Sequence, residues 1–459
     1  MPRTLSLLAL TAVVSLLPLV AVAQTGSQPT PASPGLWQQD TLTGDWGGLR
    51  TTLLNDGITL GLQEQSEAWG NLLGGRRQGV TYDGLTTASL RIDLNRLAGW
   101  SGATFFVNFF QIHGHGPAGS MVGNLQDPSS IEASDANKLY DLWLEQVLLQ
   151  GRLNVRIGQE GASDEMMIAD DAALFLNASF GYPALPNTDL PDGGPNYPMA
   201  TPFVRVKYQA TGTVTLVGAL YNGDPAPPGT GDPQLRDHTG TAFRIDDHAL
   251  AFFELWYARN KSDNAPGLPG TYKLGVWYDS ARFADVLYDR MGLSLANPAS
   301  SGIPLGHDGD YAVYAIADQT VWRRHGTTTN QGIALFLQVM GAPDDRNVSS
   351  LFVEAGLNWT APFAGRDNDS FGLAATYEGI GAAARRFSEQ QVVFTSHGTP
   401  YASNETVIEA TYLYQVAPWW TLQPDAQYVI NPGAGLPSSQ GTTPLHNAFV
   451  VGVRATVTF

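Results

Sequence analysis

The chain has 459 residues, 43% hydrophobic and only 15% charged, with 50 glycines, no cysteine and a formal net charge of −17. Soluble proteins average roughly 25% charged residues, and after the first twenty-odd positions no run approaches the ~20 apolar residues of a spanning helix. Disulfides and thiol chemistry are excluded by the missing cysteines, and the acidity argues against nucleic acid as a partner.

The chain opens on a short positive start, Met1-Pro2-Arg3. Leu5 to Val20 is almost entirely apolar, and Ala21-Val22-Ala23 is a small-x-small cleavage motif. Residues 1–23 therefore read as a secretory signal peptide cleaved after Ala23, which exports the rest, and the apolar run is too short for an anchor. Residues 24–40 are rich in Pro, Ser, Thr and Gln and read as a flexible leader. Residues 41–57 are expected to hold one short periplasmic amphipathic helix, the only helix of note. In it Trp46, Leu49, Leu53 and Leu54 recur at helical spacing, Asp45 is placed to cap the start and Gly57 to end it.

From residue 58 to 459 the period changes to two. Leu139–Leu149 and Arg152–Glu160 flank Gln150-Gly151, a two-residue hairpin turn by composition. That register sets Glu145 opposite Arg156 and Leu144 opposite Ile157, and it places Leu142, Leu144, Val155 and Ile157 on one face with Asp141, Glu145, Asn154 and Arg156 on the other. The pattern recurs. Val204, Val206 and Tyr208 oppose Arg205 and Lys207; Phe253, Leu255 and Tyr257 oppose Glu254 and Trp256. Tyr272, Leu274, Val276 and Tyr278 oppose Lys273, Trp277 and Asp279, and Leu351, Val353, Ala355 and Leu357 oppose Glu354 and Asn358. Leu422, Ala426, Tyr428 and Ile430 oppose Gln423, Asp425 and Gln427. Ala103–Ile112 carries phenylalanines on both parities, so its faces stay unassigned.

The last nine residues are the clearest case. Val451, Val453, Ala455, Val457 and Phe459 share one face, while Gly452, Arg454, Thr456 and Thr458 share the other. Apolar side chains toward lipid, polar ones toward a wet lumen and a terminal aromatic at the interface define a strand of an outer-membrane barrel. Membrane strands of ~9–11 residues with alternating short turns and longer loops give about 16 strands, enough for an aqueous channel. The expected fold is thus all-β, a transmembrane antiparallel barrel. Pro183–Pro202, Asn222–His238, Leu295–Gly309 and Asn431–Pro444 are rich in Gly, Pro, Asn and Asp and long enough to fold inward and narrow it. With only about 35 mature residues ahead of the first strand, too few for a folded plug, an active receptor is disfavoured.

Chemistry beyond passage is thin. His113 and His115 could form a metal pair, but no third ligand has an obvious position, and solvated or loop-packing histidines are the simpler reading. Asp164, Glu165, Asp170 and Asp171 could bind an ion or supply acid/base carboxylates, but a bare acidic cluster after a barrel strand reads first as loop surface. Asp308-Gly309-Asp310 is too short for a calcium loop. There is no G-x-S-x-G, P-loop or dinucleotide fingerprint, so no cofactor and no catalysis are expected.

Several motifs carry a resemblance: Asp45-Trp-Gly-Gly-Leu-Arg50, Gln111-Ile-His-Gly114, Leu142-Trp-Leu-Glu-Gln146, Arg156-Ile-Gly-Gln159, Tyr221-Asn-Gly-Asp224, Pro269-Gly-Thr-Tyr-Lys-Leu-Gly275, Arg282-Phe-Ala-Asp285 and Ala417-Pro-Trp-Trp-Thr-Leu-Gln-Pro424. From about Leu42 to Phe459 the chain resembles the carbohydrate-selective, OprB-like porin family. The resemblance implies a 16-stranded channel of the bacterial outer membrane that passes monosaccharides such as glucose through a constriction of arginines, acidic groups and aromatics. Its partners would be small sugars, outer-membrane lipid and, during biogenesis, the barrel-assembly machinery; the oligomeric state stays open.

Such a lining has a physical rationale. A sugar presents hydroxyl donors and acceptors at its rim and C–H patches on its faces, so Arg and Glu replace hydration while Trp offers a flat surface. Strand parity nominates Glu145, Arg156, Arg205, Lys207, Glu254, Trp256, Trp277, Glu354 and Arg454 as lumen residues. A general or other small-solute porin is the runner-up. An outer-membrane hydrolase would need a Ser–His pair that the sequence does not place.

Overall fold

In lipid the unpaired backbone groups of an open sheet edge would find no partner, and here the sheet closes on itself. A computed structural model describes residues 35–261, 265, 267–324, 331–396, 400, 402–435 and 443–459. Among the described residues sixteen strands follow in order, the first eight being β1 (Ile58–Gly75), β2 (Gly79–Asp93), β3 (Ala103–Gly114), β4 (Ala136–Leu148), β5 (Leu153–Glu160), β6 (Thr201–Gln209), β7 (Val214–Asn222) and β8 (Ala249–Arg259). The rest are β9 (Gly270–Asp289), β10 (Pro304–Arg323), β11 (Gly332–Gly341), β12 (Ser349–Thr360), β13 (Ser370–Ile380), β14 (Asn404–Ala417), β15 (Trp420–Ile430) and β16 (His446–Thr458). Each strand pairs with the next, and β16 closes antiparallel on β1 from Gln63 opposite Thr458 to Gly75 opposite His446.

The parities read from sequence hold. Leu274, Tyr278, Phe253 and Val204 are exposed on the outer wall, while Lys273, Trp277, Glu254 and Arg205 are buried on the inner one. In β4–β5, Glu145 lies opposite Arg156 and Leu144 opposite Ile157. The turn between them is longer than expected: pairing stops at Leu148 and Leu153, and Leu149, Gln150 and Gly151 take positive φ values of 50°, 57° and 92°. Ala103–Ile112 resolves into two faces. Phe109 stands outside, whereas Phe110 and Ile112 are buried inside and Phe106 stacks on Trp143 at 5.0 Å. Both parities are aromatic because inward-folded chain covers this stretch of the inner wall, with Phe110 also packing on Tyr197.

Two expectations about helices need correction. The N-terminal helix spans only Leu49–Asn55, because Gly47 and Gly48 interrupt it at φ 69° and 96°. Asp45 does not cap it in the usual way; its Oδ1 accepts from the Thr51 amide at 2.8 Å and hydroxyl at 2.9 Å. Trp46, Leu49 and Leu54 remain exposed. Arg50 donates to the Phe459 carbonyl at 2.9 Å, tying this segment to the closing strand. Nor is it the only helix, since Ala382–Thr395 forms a 14-residue helix in the β13–β14 connection.

Connections on the side of the termini are short, such as 149–152 and 418–419, and the long loops lie at the other end, as in outer-membrane barrels. No helix among the described residues is long and apolar enough to cross a membrane. Of the four tip segments, Pro183–Pro202 ends inside β6, and the inward loop begins much earlier, at Gly161. The last residues of Leu295–Gly309 belong to β10. Within Asn222–His238, Arg236 pairs with Asp192 of the inward loop and the Gln234 carbonyl accepts from the buried Lys138 at 3.3 Å, while the part that follows reaches strands β4 and β5: Leu139 N–H donates to Thr239 at 2.9 Å, and Gln159 Nε2 donates to the Gly240 carbonyl at 2.9 Å. Part of Asn431–Pro444 lies outside the described residues. So does the whole of the expected signal peptide, with most of the leader.

Candidate functional site

The loop between β5 and β6, residues 161–200, enters the barrel and is caught there by inward carboxylates. Glu254 accepts from the Met167 amide at 2.9 Å, and Asp318 accepts from Asp171 at 3.0 Å. Glu409 takes the amides of Leu176 and Asn177 at 2.6 and 3.0 Å. A buried backbone N–H needs a partner, so each such carboxylate pins a stretch of loop. Along the same loop Met166, Met167, Phe175, Phe180 and Leu185 pack in one cluster with Trp277, Phe336 and Phe352 of the wall. The β3–β4 loop joins the same body, with Glu405 accepting from Leu125 and Gln126 and the Ser130 amide donating to Leu176 at 2.7 Å.

Opposite this covered wall, β4, β5 and β6 present a row of charges. Arg156 binds Glu145 and Glu160, each at 2.8 Å. Arg205 binds Glu145 at 3.2 Å and Glu165 at 2.6 Å, and Lys207 also reaches Glu165. Arg156 and Arg205 are direct cross-strand neighbours; interleaved glutamates offset a repulsion that would otherwise be destabilising. Burial alone raises the Glu165 carboxyl, but Lys207, Arg205 and Arg156 outweigh it and hold the group below the usual carboxylate range. Two tryptophans frame the row. The Arg156 guanidinium lies 4.1 Å over Trp143, and Lys207 and Lys273 lie 4.4 and 4.8 Å from the Trp256 ring. A cavity of about 470 Å³ opens here, lined by Arg156, Glu165, Lys207, Trp256, Lys261 and Lys273 among others.

The nine nominated residues all lie on the inner face, but they separate into two sets. Glu145, Arg156, Lys207 and Trp256 stand in or beside the open space, with Arg205 fully buried just behind them. Trp277, Glu254 and Glu354 are at most 1% exposed beneath the inward loop, so they present no surface to a passing solute. Arg454 is likewise turned to structure, bonding Glu67 on the neighbouring strand and Ser130 of the β3–β4 loop. An inward parity therefore does not amount to a wet position.

Sequence reasoning also missed residues. Glu160 follows Arg156 by four on the same face, a spacing that could have nominated it. Lys273 and Trp143 sit on recognised inward parities. Glu165 was singled out only within an acidic cluster read as loop surface; the Asp164–Asp171 cluster instead rides the loop into the barrel, where Glu165 and Asp170 pair with wall cations. His113 and His115 do not converge; His113 turns to Glu64 at 3.6 Å on the outer wall. Among the described residues no group of three His, Cys, Asp or Glu side chains is arranged to hold a metal.

A closed 16-stranded barrel, apolar outside and narrowed by an inward loop beside a charged row, is an outer-membrane channel of the porin class. The sequence pattern of the carbohydrate-selective porin family, OprB, matches residues 77–459, and the chain belongs to that family. It is 26% identical to Porin B of Pseudomonas aeruginosa over 450 residues, covering 91% of each chain. OprB of Pseudomonas putida in its high-pH structure superposes with a TM-score of 0.80 at 23% identity, covering 92% of this chain and 99% of that one. The low-pH structure of that protein superposes with a TM-score of 0.55 at 18% identity and the same coverage.

Proposed function

We propose that this protein is a passive channel for monosaccharides such as glucose, and that Arg156, Lys207, Glu145 and Trp256 contact the sugar as it passes. The observation that carries this reading is the pairing of a flat, cation-flanked tryptophan with multidentate donors and acceptors across an open space. The ring face suits C–H patches, and the charged groups exchange hydrogen bonds with hydroxyls. Their mutual ion pairing keeps any one contact weak, as conduction requires. Nothing in this scheme calls for a covalent step.

The test is single-channel recording with added sugar. Glucose should block ion current saturably with a dissociation constant in the millimolar range, around −4 kcal/mol. Trp256→Ala should weaken the block several-fold while leaving ion current equal or larger. A folded channel whose current ignores every monosaccharide, in parallel with liposomes that swell equally in sugars and amino acids, would favour a general small-solute porin instead.

A further inference from the structure

Three outer loops meet inside the barrel around a second space, and among the described residues no strand contributes to its lining. Asp127 and Ser129 come from the β3–β4 loop, Ser179, Asn187 and Asn196 from the inward loop, and Gln234 from the β7–β8 connection. The chamber measures about 270 Å³, near the lower end of the range that holds small molecules. Its lip is open, Asn187 and Gly181 being exposed, while Ser129 and Ser179 are buried.

The loops are fastened around this space by other groups. Ser129 Oγ donates to Asp83 of β2 at 2.9 Å, the Ala178 amide donates to the Asp127 carbonyl at 2.9 Å, and the Tyr197 hydroxyl donates to the Ile131 carbonyl at 2.9 Å. That leaves polar side chains over. Among the described residues, the side chains of Asp127, Ser179, Asn187 and Asn196 make no hydrogen bond to the protein, and all four border the chamber. Polar atoms around an enclosed space ordinarily find partners, so these four indicate what the chamber takes. A carboxyl accepts, a hydroxyl both donates and accepts, and a carboxamide offers two donors and an acceptor oxygen. Such a set matches neighbouring hydroxyls on one small ring. Tyr182 and Tyr197 add aromatic surface to the lining, which suits C–H patches. Burial first, then neighbouring carboxylates, raises the two acids of the lining, Asp127 to about 7 and Glu132 to about 8. Near neutral pH the chamber therefore carries little charge, which favours a neutral solute over a cation.

We propose that this chamber is a second, outer binding site for a neutral polyhydroxyl solute of monosaccharide size, occupied before the solute reaches the charged row. Its role as a staging site rests on the sugar-channel reading above. The two spaces adjoin along the chain: Ser163 borders the chamber, and the next two residues, Asp164 and Glu165, border the cavity at the charged row. A solute crossing this short segment exchanges one set of weak contacts for another, and sites in series allow selection without slow release.

The chain has no cysteine, so Asn196→Cys places a single reactive thiol in the chamber. Its modification by a small water-soluble methanethiosulfonate can be timed by mass on the folded channel in detergent. Glucose at ~50 mM, well above a millimolar dissociation constant, should slow the reaction several-fold, and the same concentration of glycine should not. Adding Asp127→Ala should remove this protection while glucose still blocks ion current. Trp256→Ala should do the reverse, weakening the block and leaving the protection. Should either chamber variant fail to fold by heat-modifiable mobility, Asn187→Cys and Ser179→Ala take their places. Current block without protection, equal protection by glycine, or protection that survives Asp127→Ala would each overturn the outer site. Protection by glucose in a channel whose current no monosaccharide blocks would uphold the outer site and overturn the sugar-channel reading instead.

Discussion

The inner face of β8–β14 and the inner face of β4–β6 have the same alternating design and opposite fates. On the first, Glu254, Asp318 and Glu409 accept loop amides and disappear under methionines and phenylalanines. On the second, Arg156 pairs with Glu145 and Lys207 with Glu165 beside open space. The difference lies in whether a buried N–H is waiting. A carboxylate that meets backbone donors becomes an anchor; one that meets guanidinium and ammonium groups becomes part of a polar, solute-accessible wall.

Removing an anchor should break the comparison most strongly. Glu409→Ala leaves the Leu176 and Asn177 amides buried and unpaired, costing roughly 2–5 kcal/mol. The barrel should still close, so the expected result is lower urea resistance of the folded gel band together with a several-fold rise in conductance as the loop loosens. Unchanged conductance would show that the loop is held mainly by its apolar packing.

On the charged side the effects should be smaller and graded by burial. Arg156→Leu strands Glu160, whose side chain is 1% exposed, and should cost about 2–3 kcal/mol. Lys207 is 31% exposed, so Lys207→Leu should cost only about 0–1 kcal/mol while shifting reversal potentials toward cations. Equal stability losses for the two, measured by denaturant titration of the folded band, would erase the distinction between a seated and a wet charge.

The smallest expected effect sharpens the boundary between the two regions. Burial, then Asp318 and Asp170, push Asp171 up from 3.8 to about 6. Its folded value exceeds its unfolded one, so between about pH 4 and 6 folding takes up a proton, and stability rises as pH falls through that window. Cation preference should decline over the same range. Asp171→Asn should flatten both profiles, as read by denaturant midpoints and reversal potentials.

Which parts were legible in the sequence follows from the range of the forces involved. The register Glu145–Arg156, the outward Leu144 and Leu274, and the inward Arg205 and Trp277 come from strand geometry, which acts over neighbouring residues and needs no knowledge of the rest of the chain. Sealing the sheet made the sixteen strands a near-consequence of chain length and strand span. Which inward side chains stay wet could not be read this way. Trp277 became core, Glu254 an anchor and Glu165 a lumen charge because of where residues 161–200 docked. That docking is decided by apolar burial and hydrogen-bond satisfaction between segments far apart in sequence, such as Leu176 with Glu409. Outside Ala103–Ile112, parity alone determined which way the wall residues it covered point; only the folded barrel decided what they meet there.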